Sequence, residues 1–286
     1  MKKYLIAVLL LCLPCLAFQS IGRHVEPESC VQAQRILANS GTVVDSFYLN
    51  QVMRAIKDNN AYSLLVLAAD PNIGVKLSST NVTTLYDISP TNADGTATGA
   101  NMPLYTLGYQ NGHAAIGYNG TSNFLNVGSS TVYKSLSDMT IFSAFNPTVA
   151  RVNEFVSNLS SGLKGYGFGC GASNIVSFTI IKNSDSTASN INSSTGVCLL
   201  GTLYTFYATK SGVNANLFKN NAQIKSGVFA ESTIKTPTAN LSLGFYSTST
   251  TYMSGTSLYT LMFSTALTNE QMKGIESVFN AYYKIY

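Results

Sequence analysis

The stretch from Thr84 to Gly99, TLYDISPTNADGTATG, sets Asp87, Ser89, Asn92 and Asp94 close together just ahead of Gly95. Oxygen-bearing side chains gathered in this way can cradle a calcium ion, hold the hydroxyl groups of a sugar, or bond their own backbone in turns. An EF-hand loop needs glycine at its sixth position, and a loop that begins at Asp87 has Asn92 there. No Asp or Glu occurs between Asp94 and Asp138, so further carboxylate ligands would have to come from distant strands. The simpler expectation is turn chemistry without a metal or other cofactor. In it, Asp87, Ser89 and Asn92 bond backbone donors in consecutive turns, and Gly95 supplies a conformation that other residues resist.

Catalytic constellations are sparse. A retaining glycosidase holds two carboxyls roughly 5 Å apart, which on a strand face means acids at alternate residues. Among the glutamates only Glu26 and Glu28 have that spacing, and they precede the strand-rich part of the chain. A lyase built on an arginine-rich strand is disfavoured, because no Arg follows Arg151 and the strand-rich part holds a single histidine, His113. That histidine has no neighbouring Cys, Asp or Glu at a zinc-binding spacing, and no Gly-x-Ser-x-Gly elbow marks a nucleophile. Binding asks less: an aromatic face with amides and hydroxyls suffices to hold a sugar, and the chain has 17 tyrosines. Tyr105, Tyr109, Tyr118, Tyr166, Tyr246 and Tyr252 fall in or beside polar segments. Tyr105, Tyr109, Asn111 and His113 cluster in one short stretch with little apolar alternation, and they are the expected ligand-binding set.

Those groups must be positioned by an exported, strand-rich body. Residues 1–17, MKKYLIAVLLLCLPCLA, have a basic start, an apolar run too short to span a bilayer, and Cys15 and Ala17 at a cleavage site, which is the pattern of a signal peptide. No membrane span is expected after cleavage before Phe18. Loss of Lys2 and Lys3 brings the formal charge from +4 to about +2, too balanced for a nucleic-acid partner. Only 10% of residues are charged, as suits neutral turns and outward faces. Cys30, Cys170 and Cys198 survive cleavage, and an oxidising compartment permits a bridge. Of the three possible pairs, Cys170 with Cys198 is favoured by closeness in sequence and by their shared strand-rich setting.

Residues 18–75 read as a helical segment. Cys30, Ala33 and Leu37 share one helical face, with Gly41 as a stop, and Leu49, Val52, Met53 and Ile56 recur at helical spacing after a cap at Asp45 or Ser46. The run Ser63 to Ala68 fits either a buried strand or the tail of a helical unit. From Lys76 to Tyr286 short β-branched and aromatic runs alternate with Asn, Gly, Ser and Thr clusters, which predicts a mainly β, antiparallel sandwich. Lys182 to Gly196 reads as an exposed loop. At the end, Thr268 and Gln271 form a capping-box pattern ahead of a stripe of Met272, Ile275, Val278, Phe279 and Tyr282, a helix that closes the body.

Several of these stretches, taken in order, resemble the concanavalin A-like lectin and glucanase superfamily, in its laminin-G-like jelly-roll branch. Asp87, Ser89, Asn92, Asp94 and Gly95 look like that branch's Asp-x-Ser and its Asn/Gly-rich turn. Tyr118 to Val127 looks like its aromatic-x-Gly-x-x-aromatic strand pair, and Met139 to Pro147 like the strand that usually carries tryptophan where this chain has Phe145. Phe218 to Gly227 resembles a strand entering a tight turn, with Asn220 and Asn221 in place of Asn-Gly, and Leu241 to Leu267 with the capped helix looks like the closing elements. The resemblance implies a jelly-roll sandwich with N-terminal helices and a C-terminal helix. It also implies a secreted or periplasmic, non-catalytic carbohydrate-binding or surface-adhesion module whose partner is a glycan or cell-surface polysaccharide. A polysaccharide-degrading enzyme of the same fold and a structural module that contacts a surface protein are the alternatives.

Overall fold

The computed structural model describes residues 25–150, 152–160, 164–246 and 251–286, so the signal-peptide residues 1–17 lie outside the described residues. The described chain folds into two antiparallel sheets with helices packed on one of them. The inner sheet is built on the long strands Met139–Pro147 and Ser254–Phe263, which pair along most of their length. On one side it continues through Tyr204–Ser211, Asn214–Lys219 and Ala222–Val228. On the other it reaches Leu65–Ala69, His113–Asn119 and Leu104–Gln110. The outer sheet runs from Asn81–Leu85 through Gly95–Thr96, Leu125–Gly128, Leu241–Leu243 and Asn153–Ser157 to Tyr166–Cys170, Val176–Ile181 and Ala188–Asn192. A pairing of Asn81 with Leu104 joins the two layers. The resulting architecture is a mainly β, jelly-roll-like sandwich.

Side-chain alternation decides what each face of the inner sheet covers. Met139, Ile141, Phe145, Phe206 and Ala208 face the outer sheet and meet Phe155, Phe168 and Phe178 there. Phe142, Ala144, Tyr207, Phe218 and Tyr259 face the other way, into a second core with the helices. The run MTIFSAF is buried without a break because both of its faces are covered. Phe145, standing where the resemblance puts a tryptophan, is fully buried and stacks on Phe155 and Phe206.

The helices Pro27–Ala38, Ser46–Asp58 and Asn269–Tyr283 form the third layer. Asp45 caps the second by accepting from the Tyr48 amide at 2.9 Å, and Thr268 with Gln271 completes the expected capping box on the last. The first helix departs from expectation. It buries Ser29, Gln32, Ala33 and Ile36 and leaves Leu37 exposed, because its inward face is anchored by polar bonds: the Ser29 hydroxyl donates to the Glu26 carbonyl and to Asn50. Nor is Gly41 the left-handed stop; Ser40 takes that conformation with φ 60°, while a Cβ at Gly41 would collide with the Tyr86 ring. In the last helix Glu276 and Tyr283 are buried beside Met272, Ile275 and Phe279, with Val278 and Tyr282 only partly covered.

The open question at Ser63 to Ala68 resolves to a 3-10 turn, Tyr62–Leu64, and a fully buried strand, Leu65–Ala69. That strand and Gly74–Ser78 start before Lys76, so β-structure reaches into the segment expected to be helical. The expected loop from Lys182 to Gly196 contains the strand Ala188–Asn192, registered on Val176–Ile181 and pinned by Ile191, which is 5% exposed. Asn220 and Asn221, at φ 47° and 63°, form the two-residue turn between paired Lys219 and Ala222, the type I′ geometry that suits strand twist.

Cys170 and Cys198 form the expected disulfide, with Cα atoms 6.4 Å apart, inside the core between the sheets. Their sequence separation of 28 corresponds to roughly 3 kcal/mol in the loop-entropy picture. The Cys170→Ser/Cys198→Ser double variant is expected to lose about that much in a denaturant melt; a midpoint unchanged from the oxidised protein would show that the bridge adds no stability.

Candidate functional site

The Asp87 segment is a closed polar knot. Asp87 is fully buried. Its carboxylate accepts from the Ala68 and Ser89 amides on one oxygen, at 2.8 and 2.9 Å. The other oxygen accepts from the Ser89 hydroxyl at 2.7 Å and the Ala93 amide at 2.8 Å. Asp94 accepts from the Asp87 amide and is paired with Arg35 at 2.9 Å, and Arg35 also donates to the Asp87 carbonyl. Burial pushes the Asp87 carboxyl up to about 6, opposed by those hydrogen bonds. Two details differ from the expected turn. Asn92, with φ 51°, is the residue in the left-handed region, and its amide oxygen accepts from Gln32 on the first helix rather than from the backbone. Gly95 is closely packed, since a Cβ there would lie 3.3 Å from the Leu125 Cβ.

The structure brings Tyr105, Tyr109, Asn111 and His113 together on the hairpin formed by Leu104–Gln110 and His113–Asn119, and each has a partner within the chain. The Tyr105 hydroxyl donates to the Pro71 carbonyl at 3.4 Å, and the Tyr109 hydroxyl accepts from Asn146 at 2.8 Å. Asn111, left-handed at the turn, donates to the Tyr282 carbonyl at 2.7 Å. The His113 ring stacks on Tyr282 at 3.6 Å, and Tyr48 stacks on Tyr282 with the same separation. Burial lowers the His113 pKa, with Asp45 opposing. The contacts of Asn111 and His113 fasten the hairpin to the C-terminal helix.

A different set of residues forms an open recess, on the solvent face of the outer sheet. In YGFGC, Tyr166, Phe168 and Cys170 face the core, so Gly167 and Gly169 alternate onto the opposite face. The register places Gly169 between Glu154 and Ser177, with Asn192 beyond, and Gly167 beside Thr179, with Asn190 beyond. The polar side chains of the neighbouring strands border an open trough. A cavity of about 410 Å³ follows, bordered by Glu154, the Gly171 to Ile175 turn, the polar rows just named, and Tyr246 from the small ribbon Phe245–Tyr246 with Thr251–Tyr252. The glycines permit close packing on their strand: a Cβ at Gly167 would lie 2.7 Å from a Leu159 methyl and 2.8 Å from the Glu154 carboxyl oxygen, and one at Gly169 would collide with the Asn153 carbonyl.

Glu154 distinguishes the trough. It is 7% exposed, and its Oε2 is buried with no hydrogen-bond partner among the described residues. Burial pushes its carboxyl up to about 8, so at neutral pH it is mostly protonated and can both donate and accept. A buried polar atom left without a partner costs about 1–3 kcal/mol. Glu154 is the single carboxyl among the described residues that line the trough. The arrangement provides hydroxyls, amides, one carboxyl and an aromatic ring, which together make a hydrogen-bonding surface for a polyhydroxylated ligand.

Of these residues only Tyr246 stood out in the sequence, among other loop tyrosines. The signals for the rest are slight. Alternating glycine in YGFGC marks a closely packed strand face, and the lone acid in NEFVS falls on the polar side of a strand interrupted by a bulge between Glu154 and Val156.

No protein-family model matches the chain, and no curated protein matches it either. Solved structures do match. The binding domain of Paraclostridial Mosquitocidal Protein 1 is similar at a TM-score of 0.58 and 13% identity, over 77% of this chain and 53% of that one. The botulinum neurotoxin serotype D binding domain is similar at 0.54 and 10% identity, over 78% and 52%. A third, reported for botulinum neurotoxin type C, whose cell entry depends on interaction with two ganglioside molecules, gives 0.50 and 14% over 77% and 52%. The chain thus spans about half the length of these structures. At such identities the likeness is one of fold, and it agrees with the β-sandwich described above. No helix among the described residues is long and apolar enough to cross a membrane.

Proposed function

We propose that this protein is a secreted, non-catalytic carbohydrate-binding or surface-adhesion module of concanavalin A-like, laminin-G-like type, and that it holds its glycan in the Glu154 trough. The observation that carries this reading is the open recess that Glu154, Ser177, Thr179, Asn190 and Asn192 line together with Tyr246. The likeness to toxin binding domains, one of them from a toxin dependent on gangliosides, supports a recognition role at the level of fold. A single carboxyl among the described lining residues favours binding over glycoside hydrolysis, which ordinarily uses two. Export is supported by the signal-peptide pattern and by the Cys170–Cys198 bridge, which belongs in an oxidising compartment.

Retention on a panel of immobilised polysaccharides tests this. An Asn190→Ala/Tyr246→Ala variant is expected to lose at least tenfold in affinity while melting like the parent, and a chelator is expected to leave retention unchanged. The hairpin set offers a competing location, so Tyr105→Ala/Tyr109→Ala is the control. Loss confined to that variant would move the site to the hairpin, and release of reducing ends or unsaturated products by the pure protein would make it an enzyme.

A further inference from the structure

We infer that the carbonyl oxygens of Ser137, Gly212 and Ser232 form a cation site whose resident ligand is the protein's own Lys210 ammonium, and which takes a free primary ammonium ion when that side chain is cut short. Among the described residues Lys210 is the one fully buried lysine, at 0% exposure. It stands near the end of the strand Tyr204–Ser211, opposite Met139 and two residues beyond Ala208, so its side chain enters the space between the sheets. An ammonium has three donors and no acceptor. Each donor here meets a backbone carbonyl: Ser137 at 2.5 Å, Ser232 at 2.6 Å and Gly212 at 2.8 Å.

The three carbonyls come from separate connections. Ser137 precedes the strand Met139–Pro147, Gly212 lies in the turn after Tyr204–Ser211, and Ser232 belongs to the link that leaves Ala222–Val228 and reaches the outer sheet where the Lys235 amide donates to Ile181. Carbonyl dipoles gathered on one point repel one another, and a cation between them turns that repulsion into attraction. Such oxygens are what an ion takes in exchange for its hydration shell. Burial lowers the Lys210 pKa, and the charge of Asp138 opposes that shift. The same carboxylate accepts from the Gly212 amide at 2.8 Å and so fixes the turn that carries one of the three oxygens. Ser137, Gly212 and Ser232 are exposed, which gives a small solute a short way in once the lysine stem is gone. The chain thus ties three connections together with a charge of its own.

The test is thermal melting of the whole protein in ethylammonium chloride and in choline chloride at equal ionic strength. Ethylammonium restores the end of a lysine side chain, whereas choline carries the same charge with no N–H donor. The wild type is expected to melt alike in both salts, because its site is filled. Lys210→Ala should melt lower than the wild type in choline and recover in ethylammonium; at ten times the dissociation constant of the amine its folded-to-unfolded ratio rises roughly tenfold. Lys210→Met, which keeps the stem and lacks the charge, should melt below the wild type in both salts and gain nothing from the amine. Should Lys210→Ala be unfolded in choline, its refolding in ethylammonium is the same readout. No recovery of Lys210→Ala in ethylammonium over choline would overturn the inference, and so would a Lys210→Met protein as stable as the wild type, since the carbonyls would then need no cation.

Discussion

Asp87→Ala is expected to lower stability by about 4 kcal/mol, the largest loss from any single truncation outside the apolar core. The carboxylate accepts from three backbone amides and one hydroxyl in a fully buried place. Removing it leaves those donors without water or protein to bond, at roughly 1–3 kcal/mol each before relaxation. For a domain of this size that corresponds to a fall of about 10 °C in Tm. Asp87→Asn keeps an oxygen for part of the set and should lose about half as much. Arg35→Ala, which removes the clamp on Asp94 and on the Asp87 carbonyl, is expected to be milder, since the Arg35–Asp94 pair is partly exposed. Thermal melts of the three variants at pH 7 give the ranking. An Asp87→Ala protein that melts within 2 °C of the parent would show that turn geometry, rather than the carboxylate, holds the segment.

The second large effect concerns pH. Glu154, Glu276, Asp70 and Asp87 are all buried, and burial raises each carboxyl, to about 8, 7, 6 and 6 respectively. A carboxyl whose folded pKa lies above its unfolded value contributes stability that is fully present below the unfolded value and is lost as pH rises through the folded one. For Glu154 that window runs from about 4.5 to about 8. The protein is therefore expected to melt higher at pH 5 than at pH 8.5. Glu154→Gln, which keeps the shape and carries no ionisable proton, should remove about 4 kcal/mol of that decline, since each pKa unit is worth about 1.4 kcal/mol. The variant would then melt near the parent at pH 5 and clearly above it at pH 8.5. Parallel pH profiles for the two proteins would mean that Glu154 is hydrated when ionised, and the account of its burial would fail.

Glu154 also shows what a sequence leaves open. Read along the chain it is one acid in NEFVS, with no second acid at strand spacing and no histidine nearby. Its significance comes from Gly167 and Gly169 on one neighbouring strand, from Ser177 and Thr179 on the next, and from Asn190 and Asn192 on the edge. None of those partners is specified by a local preference. They become neighbours through cross-strand register, which depends on how apolar faces are shared across the whole core. The edge strand was hidden for the same reason. Ala188–Asn192 carries Ile191 as its single buried apolar anchor, and its small polar residues read as loop until a partner strand is in place.

The elements that the sequence determined by itself are those governed by short-range rules. Thr268 and Gln271 announce a helix start because their side chains can reach the first amides, and Leu49, Val52, Met53 and Ile56 announce a helix because their spacing makes one apolar stripe. Asn220 and Asn221 tolerate the left-handed conformation that a tight hairpin requires, and the strand-rich texture after Lys76 was enough for an antiparallel sandwich. Closeness in sequence and a shared strand-rich setting pointed to the pairing of Cys170 with Cys198, which the core packing then brings about. Tertiary structure decided the rest. It turned the first helix to bury Ser29 and Gln32, and it stacked His113 and Tyr48 on the two sides of Tyr282. It also opened the trough, because an unfilled space is defined by residues far apart in the chain, and no local preference encodes it.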